Sequence, residues 1–264
     1  MRDRCDLNAD LGESFGAWNM GDDEALLAQI SSCNIACGFH AGDPLTMQRT
    51  VAAAVSHGVV IGAHPSLPDL VGFGRREMRV AADELQALTL YQCAALDGFT
   101  RAAGARMQHV KPHGALYGML ARDAQLAGAF VAAVANLDRS LAIFGPPSGA
   151  LRAATLAAGL RYLREGFADR GYLPDGSLVP RDRAGALLDL DAARAQGLRL
   201  ARGESIPAVD HSVLQLDIET LCLQIVGSPI GRQHGLGRHE GDHQFTSTFT
   251  VATSPLASAR SMLS

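Results

Sequence analysis

The sequence predicts one α/β domain closed, or nearly closed, into a (β/α) barrel. Three observations carry the prediction. Short apolar, β-rich runs alternate about seven times with longer segments of helical period. No Ser/Pro-rich linker interrupts the first 220 residues. Five of the strand runs end in polar clusters: Asn8-Ala9-Asp10, Phe39 to Asp43, His64-Pro65, Lys111 to Gly114 and Glu165 to Arg170. Repeated strand–helix units imply a parallel sheet, and 264 residues suit one barrel as readily as two small domains. A doubly wound open sheet is the main alternative. In either, polar groups at the carboxyl ends of strands line the site.

Strands are expected at 4–8, 34–37, 59–63, 108–111, 141–145, 161–165 and 219–223. The helix over 22–30 opens on acids, which suit the positive end of the helix dipole. Asp43-Pro44 supplies an N-cap and a first-turn proline, followed by the stripe Met47, Val51, Ala54 and Val55. The clearest helix covers 82–103, with Leu85, Leu88, Ala95, Phe99 and Ala102 near one face. Further helices are expected at 123–135, 148–158 and 191–200.

Composition narrows the class. At 47% hydrophobic and 19% charged, with a net charge of −4, the chain reads as soluble and globular, and nothing in it suggests nucleic acid or an anionic membrane as partner. The longest apolar stretch, 126–137, falls short of the ~20 residues that a membrane span needs. The start, MRDRCDLNADLGE, has no apolar core of a signal peptide, so a cytoplasmic location is expected. Five scattered cysteines give no disulfide framework and read as small buried residues. The 23 basic residues include a single lysine, Lys111, which lies between Val110 and Pro112; no Walker A motif is formed.

The strand-end clusters suggest chemistry. Asp6, Asn8 and Asp10 alternate along the first strand and share a face, where carboxylates need partners or a task as acid, base or metal ligand. Glu13 follows them closely. His40 and His64 sit at equivalent strand ends, and with Asp10 they make an Asp/His/His set suited to a metal, although no HExxH or CxxC reinforces it. Lys111 and His113 flank Pro112, and an ammonium in a barrel mouth suits an anion or a developing oxyanion. Arg170, beside Glu165 and Asp169, offers a fork for a carboxylate. Asp43 is read as a helix cap, and His57, His109 and His211 as structural or exposed.

Several long stretches, in order, resemble the LamB/YcsF family of lactam-utilisation proteins: DLNADLGE (6–13), NIACGFHAGDP (34–44), GVVIGAHPSLPDLVGFGRR (58–76), HVKPHGALY (109–117) and EGFADRGYLPDGSLVPR (165–181). The resemblance implies a seven-stranded barrel similar to the glycoside hydrolase/deacetylase type. It also implies ATP-dependent hydrolysis of 5-oxo-L-proline to L-glutamate, in a complex with 5-oxoprolinase subunits B and C and with ATP, together with Mg, as cofactor. On this reading Asp10, His40, His64 and Lys111 are catalytic, and Asp6, Asn8, His113, Glu165, Asp169 and Arg170 bind substrate. This chain would perform the hydrolytic half, with Asp10 or a histidine as base.

The pattern breaks after Leu223. Family members continue as Cys-Val/Leu-His-Gly-Asp and an amphipathic helix, whereas here Gln224-Ile225-Val226-Gly227 leads into a Gly-, Ser-, Thr- and His-rich stretch. The barrel domain is therefore assigned to 1–224 and a poorly ordered tail to 225–264, in which His234, His239 and His243 read as accidental composition. Such a break leaves barrel closure, and one side of the site, in question. Two rival readings share the barrel: a metal-dependent polysaccharide or amide deacetylase using Asp10, His40 and His64, and a non-catalytic lactam- or carbohydrate-binding scaffold.

Overall fold

Seven parallel strands close on themselves in a computed structural model that describes residues 5–223. The expected tail lies outside the described residues. The strands are β1 (Asp6–Leu11), β2 (Ser32–Ala36), β3 (Val60–His64), β4 (Met107–Val110), β5 (Ala142–Gly145), β6 (Tyr162–Phe167) and, last in the barrel, β9 (Thr220–Cys222). Between β6 and β9 lies a short antiparallel pair, β7 (Ile206–Pro207) and β8 (Val213–Leu214). Closure runs through β9, which pairs with β1 at Asp6↔Thr220 and with β6 at Glu165↔Thr220. The three residues of β9 precede the break in the family pattern and are enough to close the ring.

Around the barrel pack α1 (Asp23–Leu27), α2 (Pro44–His57), α3 (Ala82–Ala102), α4 (Gly114–Arg122), α5 (Ala124–Leu137), α6 (Ala150–Ala157) and α7 (Leu190–Arg202). Asp43 caps α2 as its sequence predicts, accepting from the Leu45 and Thr46 amides, and Gly58 ends the helix in the left-handed region. The apolar core lies between strands and helices: Leu7, Ala9, Leu11, Cys33, Ile35, Ile61, Val110 and Ile143 all point outward into it and are buried. Burial of each leucine, isoleucine or valine among them stabilises by roughly 1.5–3 kcal/mol. All five cysteines are free thiols, four of them buried.

The buried stripe of α3 lies one position away from the apolar one. It runs Leu85, Thr89, Gln92, Cys93, Leu96 and Thr100, while Ala102 is exposed. The reason is polar: the Gln92 amide donates to the Ser66 carbonyl at 2.9 Å and accepts from the Ser66 amide at 2.9 Å. This clamp fixes the loop leaving β3. Gln196 on α7 does the same for β6, donating to the carbonyls of Phe167, Ala168 and Arg170 at 2.8–3.1 Å. Each buried donor is thereby satisfied while a strand end is immobilised. No helix among the described residues is long and apolar enough to cross a membrane.

Candidate functional site

The period-two alternation of β1 turns Asp6, Asn8 and Asp10 into the barrel, but at different depths. Asp6 lies at the amino end, where Ser31, Ser32 and Thr220 hydroxyls donate to it at 2.5, 2.9 and 2.6 Å. It closes the floor, at the far end of the barrel from Asp10, whereas the sequence-based expectation places it among the substrate-binding residues. Asn8 forms the middle layer, donating to Thr220 at 2.7 Å and accepting from Asn34 at 2.8 Å. Asn34 also donates to Asp10 at 2.9 Å and meets His109 Nε2 at 2.8 Å. Burial holds His109 down at about 3, so it is neutral and donates to Asn34 while its ring stacks on Phe144. Gly62 makes room for that ring, since a Cβ there would fall inside it.

Above this layer sits Lys111, 2% exposed. Its Nζ reaches Asp10 Oδ1 at 2.9 Å, Glu165 Oε1 at 2.8 Å, Asn8 Oδ1 at 3.3 Å and Cys222 Sγ at 3.2 Å. Burial opposes its charge, but Asp10, Cys222 and Glu165 outweigh it and raise the pKa well above the ordinary value. An ammonium has three hydrogens. All are committed inside the barrel, which corrects the expectation of an open anion-binding lysine: Lys111 clamps two carboxylates.

Asp10 is the carboxylate that reaches the mouth, its side chain 10% exposed. Burial works against its charge, yet His64 and Lys111 together hold it well below the usual carboxylate range. Asp169 is the opposite case: burial, only partly offset by Arg170, pushes it up to about 6. Burial also raises Glu165 against the pull of Lys111.

Three imidazoles form the other wall. His64 Nε2 lies 3.3 Å from Asp10 Oδ2 and 3.0 Å from His113 Nδ1. His40 stacks on His113 with centroids 3.7 Å apart and meets Glu13 at 3.3 Å. The donor atoms of Glu13, His40, His64 and His113 lie within 4.8 Å of one another, a grouping that shares two histidines with the Asp10, His40 and His64 trio expected from sequence. Phe73 wedges edge-on against His40 and His113. Its backbone is held at φ 55, a strained setting for a non-glycine residue, and its carbonyl accepts from His113 Nε2 at 2.8 Å.

Arg170 does not present its fork to the mouth. Its Nε and Nη2 donate to the carbonyls of Ala186 and Val179 at 2.9 and 2.7 Å, tying down the loop after β6. The cations at the mouth are instead Arg75 and Arg181, whose charges act on each other and on Asp10, Asp169 and Glu13. Arg75 also lies over the Phe73 ring at 5.1 Å. Both arginines come from loops within matched motifs, and only motif membership could have flagged them. The structure thus brings Asp10, His40, His64, Lys111, His113 and Glu165 together at one end, with Asp169 beside them. Asp6 and Asn8 lie deeper, and Arg170 supports a loop.

Comparison with known proteins agrees with this fold. The A subunit of the Methylococcus capsulatus 5-oxoprolinase is 57% identical over 83% of this chain and 84% of its own. Its counterpart in Bordetella pertussis is 52% identical over 84% and 89%. The lactam utilization protein from Thermus thermophilus superposes with a TM-score of 0.80 at 42% identity, covering 84% of this chain and 90% of its own. The LamB/YcsF family model matches residues 5–225, and the chain belongs to that family.

Proposed function

We propose that this chain is the ring-opening component of an ATP-dependent 5-oxoprolinase, a hydrolase of the cyclic amide 5-oxo-L-proline that works with subunits B and C. Its relatives are named as the A component of that enzyme. The observation that carries the reading is a pair of carboxyls at one mouth driven in opposite directions, Asp10 held ionised and Asp169 pushed up to about 6. Groups whose environments separate their pKa values in this way divide the acid and base roles.

A lactam is an unreactive amide, so a phosphoryl group from ATP is placed on its oxygen to make the carbonyl carbon electrophilic. Asp10 takes a proton from a water that adds to that carbon. The C–N bond breaks and the nitrogen leaves with a proton from Asp169, while a second water takes the phosphoryl group as phosphate. The products are glutamate, ADP and phosphate. Lys111 and Asn34 hold the Asp10 carboxylate in place, and Arg75 and Arg181 are the cations that face an anionic substrate. Nucleotide handling, with its Mg, falls to the partner subunits.

The test is co-expression with subunits B and C, followed by assay of glutamate release with and without ATP. Asp10→Asn is expected to lower the rate at least ~100-fold while the complex still assembles. Arg75→Ala is expected to raise KM more than it lowers kcat. ATP-independent release, or full activity in assembled Asp10→Asn, would overturn the reading.

A further inference from the structure

We propose that Glu13, His40, His64 and His113 form a site for one divalent metal ion of the zinc class. The outer nitrogens fix the tautomers. His64 Nδ1 faces the Lys111 carbonyl at 2.8 Å, and His113 Nε2 faces the Phe73 carbonyl at 2.8 Å. A carbonyl only accepts, so both of these nitrogens carry hydrogen. While the rings are neutral, His64 Nε2 and His113 Nδ1 turn bare lone pairs toward each other at 3.0 Å, and Asp10 Oδ2 lies 3.3 Å from the first of them. Two acceptors at that separation repel unless something positive lies between them. A histidine that donates its far N–H to a backbone carbonyl while its near nitrogen points into a shared space has the outer-shell arrangement of a metal ligand.

A single proton would answer for two nitrogens, but four groups converge. His40 Nε2 is 3.3 Å from Glu13 Oε1, and His113 Nδ1 is 3.6 Å from the same oxygen. Donor atoms bound at about 2.1 Å to one ion lie at most about 4.2 Å apart. These pairs meet that limit, and the full set, within 4.8 Å, needs only a small closing movement. Three nitrogens and one carboxylate oxygen select a borderline ion such as Zn2+ or Co2+ over Mg2+ or Ca2+, which take oxygen ligands. The site stands apart from the lactam reading: a chain acting on another amide, or on none, would bind the ion equally.

The test is titration of chelator-treated full-length protein with Zn2+ by calorimetry and with Co2+ by visible absorption. Stoichiometric binding and a metal-dependent rise in Tm are expected. His113→Ala and Glu13→Gln should each weaken binding at least ~10-fold. Exposed His57 on α2 serves as a control, with His57→Ala leaving affinity unchanged. The three tail histidines offer a competing tract, so His234, His239 and His243 are also replaced together by alanine. Binding that survives this triple change but is lost in the folded His113→Ala or Glu13→Gln protein supports the site. No stoichiometric binding, or binding lost only with the tail histidines, overturns it.

Discussion

Lys111 Nζ lies 2.8 Å from Glu165 Oε1, with both side chains enclosed by the barrel at 2% and 0% exposure. Such a pair is costly to assemble and costlier to break, because removing one member strands a buried charge. Lys111→Met is therefore expected to lose about 3–5 kcal/mol in urea denaturation. Adding Glu165→Gln should return part of that loss, since one uncompensated carboxylate then disappears. Losses that simply add in the double-mutant cycle would show that the two groups do not act as a unit.

Asp169 ties stability to pH. Its folded value near 6 exceeds the ordinary 3.8, so between these pH values the folded chain holds a proton that the unfolded chain releases. The contribution is favourable at low pH and fades as pH rises through about 6. Asp169→Asn cannot ionise. Relative to the native protein it should gain up to about 3 kcal/mol between pH 4 and pH 7, read from denaturation midpoints at each pH. Parallel curves would contradict the assignment.

Gly62 and His109 share one volume inside the barrel. Gly62→Ala forces the imidazole off Asn34 and is expected to cost about 1–3 kcal/mol, as overpacking does. Shortening the neighbour in Gly62→Ala/His109→Ser should relieve most of that steric cost. The thermal midpoints of the four proteins in the cycle report it.

Arg170 anchors the chain after β6 through two buried carbonyl bonds. Lysine cannot reproduce that planar fork. Arg170→Lys is expected to cost about 1–2 kcal/mol and to admit protease within 171–187. Mass spectrometry of limited digests locates the cut, and an unchanged digestion pattern would count against the anchor.

The barrel is legible in the sequence because its outward faces are apolar in short runs and its strand ends are polar. All seven expected barrel strands form, within a few residues of their expected bounds. α4 escapes a sequence reading because Pro112, Gly114 and Gly118 read as loop, and the β7–β8 pair escapes it because two-residue strands carry no period. Alternation places Asp6, Asn8 and Asp10 on one face and the carboxyl-end rule puts Asp10 at the mouth, but the burial of Asp6 among the hydroxyls of Ser31, Ser32 and Thr220 depends on residues far away in sequence. Likewise Lys111 is conspicuous by its rarity, whereas its saturation by Asp10, Asn8 and Cys222 depends on contacts more than 100 residues apart in sequence. Arg75 and Arg181 reach the mouth from irregular loops, where no periodicity points.

The brevity of β9 bears on how the chain is born. Strand β1 finds its second neighbour only at Thr220–Cys222, some 214 residues after Asp6. During translation the first six strands therefore emerge as an open sheet with two raw edges, able to recruit a neighbouring nascent chain. Shelter of those edges until Thr220–Cys222 has been made would favour the closed barrel over association between chains.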